Sequence, residues 1–363
     1  MSESSAGRRT TVIVGNSNCV LRRGFGEVVS RRLTGGGHEV VNLSIGGSGS
    51  LYHVYAWHAH RTLLESADLV VLDSLVMDTS HQRLRLLSPD QVRLAIGDMY
   101  ALYATLPGRV VSVLFPTERY VDGYSDLDAY RAHRAAAELH GVDVLDLYRL
   151  VEEPAASGAD LFLNENHLRP RYVAPIADAL ADLLLQAGEL DRARPARTLV
   201  TDPYVQVAVD EEPFVALERR THSSQHLTRS VAVLDREVSL STFAGLSAMG
   251  AFHWNREGES RILLRGGAGD YVKQLRGEYA LFASFTAEPV LEAGSTLGPA
   301  SADLPVTEPP RIEAPVLVPH LLGLLLKRPA EVLQVAGDPG QGKDLAPSLV
   351  DSREWVIEPP SPI

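Results

Sequence analysis

Thr11-Val12-Ile13-Val14-Gly15-Asn16-Ser17-Asn18 is the stretch whose reading decides the first half of the chain. A short apolar run ends at Gly15. Beyond the turn, Val20–Leu33 places Leu21, Phe25, Val28, Val29 and Leu33 on one helical face, and Gly35–Gly37 stops it. A strand that turns at once into a helix begins a βα unit, and the unit recurs. Glu39–Leu43 reads as a second strand, followed by a Gly/Ser-rich loop and a helix near Leu51–Leu64; Asp68–Asp73 reads as a third. Ser88 as N-cap, Pro89 at the first helical position and Asp90 in the first turn open a helix carrying Val92, Ile96, Met99, Tyr100 and Tyr103. Arg109–Phe115 is the fourth strand, Ser125–His140 a helix stopped by Gly141, and Val142–Leu147 the fifth strand. Tyr172–Ala187 closes the series, with Val173, Ile176, Ala177, Leu180 and Leu184 on one face and Gly188 past its end.

These strand runs are continuously apolar and do not alternate. That predicts an α/β domain over residues 10–190, a doubly wound five-stranded parallel sheet covered by helices on both faces. After Asp191–Pro195 the character changes. Tyr204–Val209, Ser230–Leu234, Arg261–Leu264 and Tyr279–Phe285 are short, β-prone and separated by turn residues. Val316–Leu326 and Pro329–Val335 alone read as helical. Residues 200–350 are therefore expected to form a smaller, mainly β domain, and 351–363 a Pro-rich tail. The length of 363 residues agrees with two domains.

Composition narrows the function classes. Apolar residues make up 45% and charged residues 22%, ordinary values for a globular chain. The net charge of −12 argues against nucleic acid or an anionic membrane as partner. Cys19 is the single cysteine, which excludes an internal disulfide or a cysteine-rich zinc site. Met1–Thr10 is short and polar, without an apolar core for a signal peptide. The longest apolar run, Val316–Leu326, is broken by Pro319 and is too short to span a bilayer. The expectation is a soluble, cytoplasmic protein without metal or organic cofactor. The sequence leaves its oligomeric state open.

In a doubly wound sheet, ligands bind beyond the carboxyl ends of the strands. The residues placed there are Gly15-Asn16-Ser17-Asn18, then Asn42 to Gly49 with Gly46 and Gly47, then Ser74 to Met77 and Asp78. A longer loop runs from Asp160 through Asn164-Glu165-Asn166-His167 to Pro170. A serine opening a helix points its N–H outward, where it can stabilise an oxyanion. Its hydroxyl needs a neighbouring base, and histidine serves near pH 7. A glycine loop brings a further N–H donor close. Together these parts make acyl transfer the natural chemistry.

These four blocks resemble the SGNH (GDSL-like) hydrolases. Gly15-Asn16-Ser17 is similar to the first block, Asn42–Gly49 to the second, Val71–Asp78 to the third and Asn164-Glu165-Asn166-His167 to the Asp-x-x-His block. The resemblance implies a flavodoxin-like sheet and a serine esterase acting on an ester-linked acyl group, commonly acetyl on a sugar. It implies Ser17 as nucleophile, His167 as base, Asn164 as the residue orienting it, and the N–H groups of Ser17 and Gly47 as the oxyanion hole. Asn18, Gly46, Met77 and Asp78 would border a small-molecule or glycan ester.

Three residues depart from the family pattern. Asn16 replaces an aspartate. Asn164 replaces the histidine-orienting aspartate; its amide oxygen can accept a hydrogen bond but offers no negative charge, and Asp160 and Glu165 are alternative carboxylates. Met77 stands where the family has an asparagine donor, and loss of one oxyanion donor costs about 100- to 1000-fold in turnover. An O-acyltransferase using the same acyl-enzyme, or an SGNH-fold binding protein with impaired chemistry, are the alternatives.

Weaker motifs lie elsewhere. His222 and His226 have i, i+4 spacing but sit in a β-prone region with no third ligand. Gly337–Asp344 approximates a phosphate loop, yet Asp344 replaces its Ser/Thr and Ala346-Pro347 oppose a following helix. Cys19 reads as a packing residue. Trp57, His58 and His60 border the substrate cleft or belong to the core.

Overall fold

The structure, a computed structural model, describes residues 8–156, 160–186, 197–224, 227–255, 258–267, 269–275, 280–301, 303–307, 317–347 and 349. The first half runs β1 (Thr10–Val14), α1 (Ser17–Val20), α2 (Phe25–Gly35), β2 (Glu39–Asn42), α3 (Ser50–Ala59), α4 (Arg61–Glu65), β3 (Leu69–Leu72) and α5 (Leu75–Arg83). It continues through α6 (Pro89–Tyr103), β4 (Arg109–Leu114), α7 (Asp128–His140), β5 (Asp143–Asp146), α8 (Leu147–Ala156), β6 (Phe162–Asn164), β7 (His167–Leu168) and α9 (Pro170–Leu185).

β1 to β5 form one parallel sheet in the order β2-β1-β3-β4-β5, the flavodoxin-like order, which places the switch point between β1 and β3. The absence of alternation now has its cause. Val12 and Val14 pack with α3 and α6 on one face, while Ile13 between them packs with α2 and α9 on the other. Each inner strand is buried on both sides. Where the reading expects one helix over Val20–Leu33, the chain leaves α1 at Leu21 in extended conformation and re-enters at Phe25. Gly26 allows α2 to close on α1, since a Cβ there would lie 2.2 Å from the Cys19 carbonyl oxygen. The signals at α6 act as expected: the Ser88 hydroxyl accepts from Gln91 N, and the Gln91 side chain accepts from Ser88 N.

The second half is built from β8 (Thr198–Thr201), β9 (Tyr204–Ala208), β10 (Arg219–Ser223), β11 (Thr228–Val233), β12 (Val238–Ser239), β13 (Ser247–Trp254), β14 (Ser260–Gly266) and β15 (Gly269–Leu275). β16 (Ala280–Ser284), β17 (Thr296–Pro299), β18 (His320–Lys327) and β19 (Gln334–Ala336) complete it. One sheet has the order β10-β11-β18-β13-β16, with β9 also on β18; a second has the order β12-β17-β14-β15. All of these pairings are antiparallel.

Of the Val316–Leu326 run, whose first residue lies outside the described residues, 317–326 is not helical. From His320 it is the central strand β18, bonded to β11, β13 and β9. Leu321, Leu324 and Leu326 face the second sheet, whereas Leu322 and Leu325 face the α/β half. A strand covered on both faces carries an unbroken apolar run, and periodicity alone cannot separate that from a buried helix. Pro329–Val335 is likewise non-helical and leads into β19, which pairs with β8. The Asp191–Pro195 boundary, His226 and the 351–363 tail lie outside the described residues.

The two halves share a core. Tyr52, Tyr55 and Trp57 of α3 and Met99 of α6 belong to the same buried cluster as Phe252, Phe282 and Leu325. Tyr204 donates its hydroxyl to Asp98 at 2.5 Å, with Lys327 Nζ 3.7 Å from the same carboxylate. The chain finally returns to the open edge of β5, where Val144 N donates to Lys343 O and Leu345 N to Val144 O. Asp344 pairs there with Arg134 and Arg149. The Gly337–Asp344 segment thus serves as edge cover.

Candidate active site

The turn after β1 is built around a missing side chain. A Cβ on Gly15 would meet Cys19 Sγ at 2.7 Å and Asp73 Cβ at 3.2 Å, so only glycine fits. Asn16 then caps α1, its Oδ1 accepting from Asn18 N at 3.0 Å and from Asn18 Nδ2 at 3.3 Å. Asn18 is thereby buried and held within the turn. Ser17 becomes the first residue of a helix, and its N–H has no intrahelical acceptor.

β6 and β7 form a small hairpin pairing Asn164 with His167. It delivers His167 Nε2 to 2.7 Å from Ser17 Oγ. On the far side of the ring, His167 Nδ1 lies 2.8 Å from Asn164 Oδ1, which also accepts from Asn166 N at 3.1 Å. Asn164 presents its oxygen to both groups, so Nδ1 carries the proton and Nε2 is left to accept from the Ser17 hydroxyl. Burial lowers the His167 pKa below the ordinary imidazole value, leaving the ring neutral at pH 7. Neither alternative carboxylate touches the ring. Asp160 is paired with Arg169 and Arg171, and Glu165 with Arg83.

The second-block loop is tied to the same turn. Asn42 Nδ2 donates to Cys19 O at 2.9 Å, Asn42 Oδ1 accepts from Ser44 N at 2.9 Å, and Ile45 N donates to Gly15 O at 3.0 Å. Gly47 sits at φ +67°, a conformation that favours glycine, while Gly46 has open space around it. Gly49 then leads into α3.

The third block differs from the expectation. Its residues 75–78 open α5, with Met77 half-buried in the first turn. Asp78 does not border a cleft. It is buried, with Oδ1 accepting from Ser50 N at 2.9 Å, Oδ2 from Ser50 Oγ at 2.6 Å, and His133 Nε2 3.0 Å away. Burial pushes its carboxyl upward, but His133 and Ser50 outweigh that and hold it below the usual range. Asp78 therefore caps α3, the helix that follows the Gly46–Gly49 loop. Behind it, His133 Nδ1 lies 3.1 Å from Tyr100 OH, which is 2.6 Å from Ser112 Oγ.

Asp73 is the residue that the sequence reading missed. It directly follows β3, fully buried, accepting from Asn16 Nδ2 at 3.2 Å and from Cys19 Sγ at 3.7 Å. Burial raises its pKa to about 8. An acidic residue closing the apolar run Leu69–Leu72 was the available signal. Cys19 is buried in the core, as a packing residue would be. Trp57 is core and His58 lies 3.6 Å from Asp202, two turns down α3 from the loop, so this pair does not border the site. His222 lies on β10, with Nε2 2.8 Å from His320 Nδ1. Among the described residues no group of three metal-binding side chains occurs, and no helix is long and apolar enough to cross a membrane.

No protein-family model matches the sequence, and no curated protein matches it. Among solved structures, the chain is similar to the acetyl xylan esterase AlAXEase, with 17% identity and a TM-score of 0.41 over 48% of this chain and 99% of that one. It is similar to the acetylxylan esterase Axe2 of Geobacillus stearothermophilus, with 18% identity and a TM-score of 0.41 over 51% of this chain and 97% of that one. It is also similar to TesA, with 20% identity and a TM-score of 0.39 over 49% and 98% of the two chains. It is similar as well to a putative GDSL-like lipase from Parabacteroides merdae, with 13% identity and a TM-score of 0.39 over 50% of this chain and 96% of that one.

Proposed function

We propose that this protein is a serine esterase that removes an ester-linked acyl group, acetyl in the first instance, from a glycan or glycosylated small molecule. The observation that carries the reading is the Ser17 Oγ to His167 Nε2 contact of 2.7 Å, continued by His167 Nδ1 to Asn164 Oδ1 at 2.8 Å. Nε2 takes the Ser17 proton as Oγ attacks the ester carbonyl. The N–H groups of Ser17 and Gly47 stabilise the oxyanion. The protonated ring then gives its proton to the leaving alkoxide, and water repeats the sequence on the acyl-enzyme, returning Ser17. Asn164 keeps the ring in the productive tautomer but leaves the imidazolium without an adjacent carboxylate, so turnover is expected to be modest.

Met77 favours a second reading, a binding protein with impaired chemistry, because a thioether donates no hydrogen bond. One experiment separates them. A fluorophosphonate probe should label Ser17 in the wild type, and Ser17→Ala should abolish labelling and aryl acetate hydrolysis while moving Tm by no more than a few degrees. A wild type that neither labels nor hydrolyses short esters favours the binding protein. Full activity in Ser17→Ala removes Ser17 from the mechanism.

A further inference from the structure

The Gly46–Gly49 loop is bordered by the C-terminal sheet as well as by the serine turn. β16 is the last strand of its sheet, and its Leu281 reaches the loop: a Cβ on Gly47 would lie 3.1 Å from Leu281 Cδ2. Leu281 and Gly47 are both only half-buried. The approach is anchored on both sides. Phe282, the next residue, packs with ring centroids 6.3 Å from Tyr52 and 5.7 Å from Tyr55, both on the helix that continues the loop. Just past β16, Gln91 Nε2 donates to Thr286 O and to Glu288 Oε1, each at 2.8 Å, tying the strand exit to the start of α6.

We infer that the C-terminal sheet forms one wall of the active site and that Leu281 limits the length of the acyl group accepted, an inference that rests on the esterase reading. The tetrahedral carbon formed at Ser17 Oγ carries three further substituents. The leaving oxygen must face His167 Nε2 to receive its proton, so the oxyanion and the acyl chain occupy the side away from the 164–167 hairpin. On the esterase reading the N–H of Gly47 holds the oxyanion, which sets the acyl chain beside the Gly47 loop. The acyl chain meets whatever stands beside the loop, and Leu281 stands there. A branched apolar side chain in that place admits acetyl and crowds longer chains.

The test is the ratio of kcat/KM for aryl butyrate to that for aryl acetate, measured on the same preparation of wild type, Leu281→Ala and Leu281→Phe. A ratio is insensitive to the fraction of protein that folds. Leu281→Ala should raise it about tenfold, and Leu281→Phe should lower it, in keeping with the discrimination that one or two methylenes give in an apolar pocket. Equal ratios within twofold in all three proteins, with Ser17 labelled by the probe, overturn the role of Leu281 and leave the esterase standing. Absence of labelling in the wild type overturns both.

Discussion

In the α/β half, buried polar side chains are held by groups distant in the chain: Asn16 by Asp73, Ser50 by Asp78, and Asp78 by His133. In the β half, the large central strands are closed by apolar contact on both faces, with β18 as the clearest case. The first arrangement positions hydrogen-bonding atoms; the second supplies bulk. On the proposed function the chemistry is carried at the end of β1, while the shared core depends on Phe252, Phe282 and Leu325. The contrast bears on whether the halves are independent domains, because Tyr52 and Tyr55 of the first half are buried against rings of the second.

Shortening the chain breaks the comparison most severely. A protein ending at Arg197 would expose Tyr52, Tyr55 and the α6 face, and would leave the β5 edge without its 339–345 cover. Full burial of one large apolar side chain is worth about 1.5–3 kcal/mol, so several lost together approach the whole stability of a domain. We expect this shortened chain to be insoluble, or to lose the cooperative unfolding transition in circular dichroism. A soluble product that unfolds cooperatively and keeps the wild-type Tm would show that the α/β half is self-sufficient.

The sequence spoke most clearly where structure is local. The β1 turn, the capping of α6 and the five strand segments of the parallel sheet follow from neighbouring residues, whereas the order of those strands in the sheet was implied only by the family resemblance. The asparagine in place of an aspartate was legible; that its oxygen rather than Asp160 or Glu165 meets His167 was not, because arginines decide where those carboxylates go. Asp78 illustrates the same limit. Its partner Ser50 precedes it by 28 residues and His133 follows it by 55, and no spacing rule connects them. β18 failed for another reason: in a layer covered on both sides, helix and strand leave the same apolar record.

The polar half can be sharpened by restoring the missing charge. Asn164→Asp keeps the acceptor on His167 Nδ1 and adds a negative charge beside a ring that lacks one. The expected gain in turnover on an aryl acetate is about tenfold or more. It should remain well below the ~10⁴ associated with the reverse change in a serine protease, where the asparagine also imposes the wrong tautomer. Wild-type His167 has its pKa lowered by burial, so wild-type activity should rise with pH through a limb below the ordinary imidazole value and be level near pH 7. An adjacent carboxylate favours the charged ring, and the limb in Asn164→Asp should move to higher pH. A variant with unchanged turnover and an unmoved limb would detach Asn164 from the role assigned to it.

The smallest effect expected is on stability, at Asp73. With a folded pKa of about 8, this carboxyl stays protonated in the native protein at neutral pH. In the unfolded chain it ionises near its ordinary value, about 3.9. Between those two values the unfolded state releases a proton that the folded state keeps. Rising pH therefore favours unfolding by up to roughly 1.4 kcal/mol per pH unit, and the loss levels off once the folded group ionises as well. Asn at this position retains an oxygen for Asn16 Nδ2 and cannot ionise. Asp73→Asn should accordingly raise Tm by several degrees at pH 7.5 and by much less near pH 5, as read by thermal melts in matched buffers. An equal Tm change at both pH values would mean that packing around Cys19, rather than the buried proton, sets what Asp73 contributes.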